Sequence, residues 1–335
     1  MKSPITGKEM VLRKEPRTLT FRKEEFTIVY HYFLCEDSGE QFTSAELDEL
    51  DINQLHNQYR EKYSIPFPDE IKAIREKYGL SATKMAEALG FGVNVYRNYE
   101  NGEVPNESNG KLIRLAQRSN NFYMLVRDSK TLDPRAKENI LEKINDLLKE
   151  EQHDSFVVDL HEYFLGSLVP DEFTGYRTPN LNKLIEMIVF FTEQLNPYKT
   201  KLNKLLFYSD FAFFRKYGYS LSGTRYAAID LGPVPNNFES IFDFAGTRGH
   251  IAIERKEFDN GGWGDVFHPA TNRTFNAELF SKEELETLSM IAGAFRTISA
   301  KGIKDLSHRE KGWKENFEKG KQLISYRYSF DLETI

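Results

Sequence analysis

Leu80-Ser-Ala-Thr-Lys-Met-Ala-Glu-Ala-Leu-Gly90, followed by Phe91-Gly-Val-Asn-Val-Tyr-Arg-Asn-Tyr-Glu100, decides how the rest of the chain is read. Gly90-Phe91-Gly92 breaks the run, Asn101-Gly102 closes it, and the spacing predicts two short helices, Ser81–Leu89 and Val93–Glu100, across a tight turn. Met85, Ala86 and Leu89 share the inward face of the first, and Ala86 is small enough for close helix approach. Val95 and Tyr99 support the second helix from below, which leaves Asn94, Tyr96, Arg97 and Asn98 outward or along the edge.

Such a pair can brace a phosphate backbone with its first helix and insert side chains of the second into the major groove. Asn and Arg form paired hydrogen bonds with adenine and guanine edges, so Asn94 and Arg97 are the candidates for direct readout. Ser81, Thr83 and Lys84 suit phosphate, and Tyr96 and Asn98 complete the candidate DNA surface. The bland alternative for the same pattern is an ordinary polar helical hairpin.

A chain of 335 residues is long enough for two or three domains. Its net charge of -6 argues against a broad electrostatic coat on nucleic acid, so DNA binding must be local and is expected from a dimer. The single cysteine, Cys35, can form neither an internal disulfide nor a four-thiolate metal site. Apolar runs such as Leu184–Phe191 fall short of the ~20 residues of a membrane span, and Met1-Lys2-Ser3-Pro4 lacks the apolar core of a signal peptide. A cytoplasmic protein with no membrane partner is expected.

Upstream of the paired helices, Thr18–Phe21 and Phe26–Tyr30 are β-prone runs split by Arg22-Lys-Glu-Glu25, and Thr43 with Glu46 forms a capping-box signature for a helix. Pro68-Asp-Glu opens a further helix containing Ile71 and Ile74, ended by Gly79, and another begins at Lys111. Over 133–150, Ile140, Leu141, Ile144, Leu147 and Leu148 recur at helical spacing, as in a spacer or dimer helix. Turn formers over 170–180 mark a boundary, followed by apolar helices at 181–195 and 199–217. Beyond them come a rigid turn at Gly232-Pro-Val-Pro235, a strand around Ile251–Phe258, and a helix from the Ser281/Glu284 capping box through Ile298.

Glu70-Ile-Lys-Ala-Ile-Arg75, Leu80-Ser81, Met85-Ala86, Leu89-Gly90, Val93-Asn94 and Asn98-Tyr-Glu-Asn-Gly102 resemble the helix-turn-helix of MqsA-type antitoxins, within the wider Xre-like group. The resemblance spans roughly 66–118 and implies base reading by an Asn at 94 and by an Arg immediately before the Tyr-Glu pair. Here Asn98 occupies that Arg position and Arg97 stands one place earlier. The same family carries a zinc module of two Cys pairs, and Ser3-Pro-Ile-Thr-Gly7 with Cys35-Glu-Asp-Ser-Gly39 resembles its frame. Ser3, Thr6 and Ser38 stand where thiols are expected, so a metal-free relic is anticipated, with His31 a structural or surface residue rather than a replacement ligand.

Lys201-Leu-Asn-Lys-Leu-Leu-Phe-Tyr208 with Asp210, then Gly232-Pro-Val234, then Leu306-Ser-His308 and Trp313, resemble the Panacea domain, also called SocA-like. That resemblance covers about 178–330 and implies recognition of a protein toxin, with Lys204, Tyr208, Asp210, Gly232, Pro233 and Val234 as candidate toxin-binding residues. The alternative for the polar residues near 201–210 is that they line one side of a core helix, and His308 with Trp313 suggests a polar–aromatic lock.

No phosphate-binding glycine loop, metal-ligand motif or nucleophile elbow is present in the sequence, so no enzyme, cofactor or metal is expected. The expected fold class is α+β, mainly helical. Its parts are a small N-terminal β unit that is a degenerate zinc module (1–64), a helix-turn-helix domain (65–120), a helical spacer (121–177) and a Panacea-like α+β domain (178–335). The expected function is that of a type II antitoxin that neutralises a cognate toxin and binds operator DNA to autoregulate, as a homodimer or in a higher toxin–antitoxin complex. The alternative is a proteolytic adaptor or toxin-binding protein with a vestigial DNA reader.

Overall fold

The computed structural model describes residues 1–151, 161–257 and 261–335. It is α+β and mainly helical, with three small antiparallel sheets among the described residues. Two compact units emerge: Met1–Lys14, His31–Gln54 and His161–Ile335 form one, and Glu15–Tyr30 with Leu55–Leu160 forms the other. The hairpin and first helix each contribute residues to both, so the units do not follow the sequential boundaries expected from the chain.

The N-terminal strands β1 (Val11–Phe21) and β2 (Glu24–Leu34) are longer than the β-prone runs alone suggest, and β3 (Gln41–Phe42) adds to β2. Only Arg22 and Lys23 form the turn, both with positive φ (51° and 70°), the backbone of a two-residue hairpin that usually selects Asn or Gly. Arg22 offsets that strain by donating to the carbonyls of Val104 and Pro105 at 2.5 and 2.6 Å. Helix α1 (Ala45–Tyr63) is capped by Ser44, whose Oγ accepts from the Leu47 amide at 3.4 Å, one residue later than the Thr43 signature indicates.

Helices α2 (Pro68–Lys77), α3 (Ala82–Leu89), α4 (Val95–Glu100), α5 (Glu107–Ala116), α6 (Ser119–Asp128) and α7 (Pro134–Glu151) follow. Helix α5 starts at the Asn106 cap rather than at Lys111. One core joins Ile71, Ile74, Met85, Ala86, Leu89, Tyr96, Ile113 and Phe122 to Ile140 and Ile144 of α7. The segment expected to be a spacer therefore buries its apolar stripe, chiefly on α6, and joins the core of the paired helices, because an amphipathic helix with neighbours at hand gains most by covering them. The part of that spacer at 152–160 lies outside the described residues.

In the other unit, α8 (Leu181–Leu195) and α9 (Lys199–Tyr217) match the apolar helices expected at 181–195 and 199–217. Every residue from Lys201 to Phe214 is buried, which makes α9 the central helix of its unit. Strands β4 (Tyr226–Ile229) and β5 (Gly232–Pro235) pair antiparallel, with Ala227 opposite Val234 and Ala228 opposite Pro233. Gly232–Pro235, expected as a turn, is thus a strand, and its two prolines are compatible with a two-stranded edge where a missing amide leaves no ladder bond unmade.

Helix α10 (Phe238–Thr247), the hairpin β6 (Ile251–Glu257) and β7 (Trp263–Pro269), and helices α11 (Lys282–Phe295), α12 (Ala300–Ser307) and α13 (Lys311–Glu318) complete the unit, with a 3₁₀ turn at Tyr326–Asp331. Phe258, expected at the end of β6, lies outside the described residues. The Ser281/Glu284 capping box forms in both directions, at 3.2 and 2.8 Å. Residues β5, α11, α12 and the 3₁₀ turn all pack on α9. The boundary expected near 170–180 falls inside this unit: Arg225 donates to the Ser167 and Val169 carbonyls and pairs with Asp171 at 2.8 Å, and the Tyr326 amide donates to the Glu172 carbonyl. No helix of the described residues is long and apolar enough to cross a membrane.

Candidate functional site

Helix α3 begins at Ser81, whose Oγ accepts from the Lys84 amide at 3.2 Å, and ends at Gly90 with φ 72°, a left-handed cap that a Cβ would strain. Helix α4 is held by α2 and by α5. Arg75 donates from Nε to Glu100 at 2.5 Å and from its guanidinium to the Leu80 carbonyl at 2.8 Å, tying α2 to α4 and to the entry of α3. Tyr96 donates to the Ile71 carbonyl at 2.7 Å, and Asn109 of α5 donates to the Tyr99 hydroxyl at 2.8 Å. A rigid support of this kind is what a surface that discriminates between ligands needs.

Asn94, Arg97 and Asn98 are exposed, and no side-chain hydrogen bond or ion pair to any of them is found among the described residues. Ser81 is exposed and Thr83 half-buried. Lys84 already pairs with Glu87 at 2.7 Å and lies 4.0 Å from Asp133, so any phosphate has to compete with two carboxylates. Tyr96 departs from expectation: its ring is fully buried, burial pushes its hydroxyl well above the usual range, and it belongs to the core rather than to the outer edge. The local reason is the helical period, which places Tyr96 and Tyr99 on the same inward face.

At the N-terminal module, Ser3, Thr6, Cys35 and Ser38 converge as the resemblance implies. The Ile5 and Thr6 amides donate to Ser3 Oγ, and Thr6 Oγ1 lies 3.4 Å from Cys35 Sγ. The hydroxyls of Ser3, Ser38 and Thr6, helped by the Ser38 amide, hold the Cys35 thiol down to about 6. One thiol and three hydroxyls do not fit zinc, because alcohols stay protonated near neutral pH and make poor ligands. Among the described residues no group of three or more His, Cys, Asp or Glu side chains could hold a metal ion. His31 is turned elsewhere: it is buried against Asp51, with Nδ1 to Oδ1 at 3.0 Å, and its ring meets Phe330.

The C-terminal candidates come together around α9, but inside it. Lys204 is fully buried, and its Nζ donates to the Pro233 carbonyl at 2.8 Å. Burial, with Lys304 adding repulsion, brings its amine down to about 7. Tyr208 contacts Glu310 at 3.1 Å and Thr334 at 3.2 Å. Asp210 accepts from the Leu221 and Ser222 amides, the Ser222 hydroxyl and the Tyr226 hydroxyl, at 2.7 to 2.9 Å. Gly232, Pro233 and Val234 are buried as well. None of these six residues lies on the surface a partner first meets: α9 is buried from Lys201 to Phe214, where the core-helix alternative describes Lys204, Tyr208 and Asp210, and Gly232–Val234 are buried in β5 beside it.

Glu310, Ser222 and Tyr226 complete this polar network and were not singled out in the sequence, where only the Ser220-Leu-Ser-Gly-Thr224 run hints at a hydroxyl-rich turn. His308 stacks on Trp313 with ring centroids 3.9 Å apart and planes within 1°, and Trp313 donates from its indole to the Ile229 carbonyl. A cleft of about 680 Å³ opens on the surface of the same unit, walled by Phe173, Leu323 and Tyr328 with Glu172 and Arg327 among its polar groups.

Two family models match the chain. Residues 1–127 match MqsA, the antitoxin component of a bacterial toxin–antitoxin system, and residues 202–314 match the antitoxin SocA-like Panacea domain. No curated protein and no solved structure matches it. The chain is therefore similar to MqsA-type antitoxins over its N-terminal part and to the SocA-like Panacea domain over its C-terminal part, so that both stretches of similarity on the one polypeptide are to antitoxin families.

Proposed function

We propose that this chain is the antitoxin of a type II toxin–antitoxin pair, neutralising a cognate protein toxin through the Panacea-bearing unit and binding operator DNA through α3 and α4 to regulate its own synthesis. The observation that carries the reading is the union of two antitoxin families on one chain, 1–127 and 202–314. The exposed row of Asn94, Arg97 and Asn98 on a rigidly held helix supports the DNA half. A dimer places two such helices about one turn of DNA apart and supplies the local affinity that a chain of net charge -6 lacks as a monomer.

The buried groups of α9 act in this reading as scaffold, and the toxin-facing surface is sought on the outside of the unit, with the cleft beside Phe173 and Tyr328 as its first candidate. The polar side chains of α9 are engaged in internal bonds, which favours binding over catalysis. One observation favours the adaptor alternative with a vestigial reader: Asn98 stands where the resembling family has its reading Arg. The deciding experiment co-expresses the chain with the product of its neighbouring gene, scoring growth and co-purification, and measures binding to the DNA upstream of the pair at fixed salt. Rescue with operator binding supports the main reading; rescue with no preference over random DNA leaves the adaptor.

A further inference from the structure

Among the described residues, Val93 is the most exposed large apolar side chain of the unit that holds α3 and α4, at 62% against 48% for Met124 and 46% for Leu115. It stands immediately before Asn94, in the turn that leads into α4. The turn is tight: the Val95 amide donates to the Gly92 carbonyl at 2.9 Å, and a Cβ on Gly92 would come within 3.3 Å of Val95 Cγ2. That closure turns Val95 partly inward and leaves Val93 outside, exposed like Asn94, Arg97 and Asn98.

An exposed valine here adds little to folding, since its side chain stays in water and a β-branched residue gains nothing in a turn. Every other exposed side chain of this row is polar. The major groove, in contrast, presents one apolar feature, the C5-methyl of thymine, which apolar side chains recognise by contact. The stiff χ1 of valine also limits the entropy lost on docking.

We infer that Val93 is a specificity-determining residue that packs on the methyl of a thymine beside the base read by Asn94. The inference rests on the operator-binding reading above. It adds an apolar reader to the polar pair Asn94 and Arg97.

The test selects duplexes from a randomised DNA pool with the intact chain, then replaces each thymine of the selected site by deoxyuridine, one at a time, and measures affinity at fixed salt. One replacement is expected to weaken the wild type about fourfold, the factor of one methyl-sized group withdrawn from contact, while Val93→Ala binds thymine and uracil versions equally. Thermal unfolding of Val93→Ala should match the wild type, because the side chain is exposed. If a site is selected but no replacement separates wild type from Val93→Ala, Val93 is a spectator and the inference falls while DNA reading stands. If no sequence is enriched over random DNA, the operator reading falls and takes this inference with it.

Discussion

Lys204 Nζ donates to the Pro233 carbonyl at 2.8 Å in space closed to water, and the missing Cβ at Gly232 is what lets the amine approach, since a Cβ there would come within 2.7 Å of Lys204 Cε. The folded amine is held down to about 7, whereas an unfolded lysine keeps its proton up to about 10.5. Below 7 both states are protonated and the cost of burying the charge is fully present. Between about 7 and 10.5 the unfolded chain binds the extra proton, so stability rises with pH, by up to about 1.4 kcal/mol per pH unit. Urea midpoints of the wild type should climb from pH 7.5 to 9.5, and Lys204→Met should flatten the climb. An equal slope in both proteins would show that the amine carries no such penalty.

Asp210 predicts a fold-directed effect. Its four donors lie at 2.7 to 2.9 Å, and removing the carboxylate leaves the Tyr226 hydroxyl and two amides buried without an acceptor, while the Ser222 hydroxyl can still donate to Thr224 Oγ1 at 2.7 Å. Asp210→Ala should cost about 3 kcal/mol or more in denaturant unfolding, and Asp210→Asn less, because one acceptor oxygen remains and the hydroxyls of Ser222 and Tyr226 can rotate. Loss of toxin rescue in these variants should track the fraction folded. Rescue lost with unfolding unchanged would return Asp210 to the list of direct toxin contacts.

The long periodic elements were legible in the sequence, because 181–195 and 199–217 carry enough apolar residues to specify helices without help from their neighbours. The first of the paired helices was legible too, since Ser81 and Gly90 are local cap chemistry. What the chain did not reveal is tertiary in origin. Arg22 and Lys23 enter a left-handed turn only because Val104 and Pro105 accept from Arg22, and Gly232–Pro235 extends because β4 offers a partner. Polar residues on α9 read equally well as surface or core until Glu310, Ser222 and Pro233 supply their partners.

Readout and support at the helix-turn-helix should separate cleanly. Asn94→Ala and Arg97→Ala are each expected to lose ~1–3 kcal/mol at selected sites with little change on random DNA. Tyr96→Phe deletes only the bond to the Ile71 carbonyl and should cost about 1 kcal/mol of stability with site preference retained. Titration of labelled duplex at fixed salt, alongside urea unfolding, reads both. Unchanged affinity for Asn94→Ala would remove it from the base-reading set.

The convergence of Ser3, Thr6, Cys35 and Ser38 makes the zinc question an experiment in reconstruction. Elemental analysis of the purified wild type should find no stoichiometric zinc, and Ser3→Cys with Thr6→Cys and Ser38→Cys should create a four-thiolate site that takes up one ion and raises the melting temperature. The Cys35 thiol, held at about 6 when folded against 9.0 when free, also contributes stability that grows as pH rises between those values and is absent below 6. Cys35→Ser should reduce that growth. One zinc per wild-type chain would show that alcohols suffice here.

The Panacea-bearing unit draws on chain well upstream of residue 178. A cut at 178 removes Ser167, Val169 and Asp171, the three partners of the buried Arg225 guanidinium, and Thr174, whose carbonyl accepts from Ser220 at 2.6 Å. It also removes Lys14, which donates to the Phe330 carbonyl, and His31, whose ring packs on Phe330. An unpaired buried guanidinium alone is worth about 3–5 kcal/mol, a large share of the stability of a domain. Stability should therefore fall from the intact chain to 161–335 and again to 178–335, read by urea unfolding of the three proteins. Growth rescue by the neighbouring-gene assay should fall in the same order. A fragment 178–335 that unfolds as late as the intact chain would show that these ties are dispensable and that the unit is smaller than its contacts suggest.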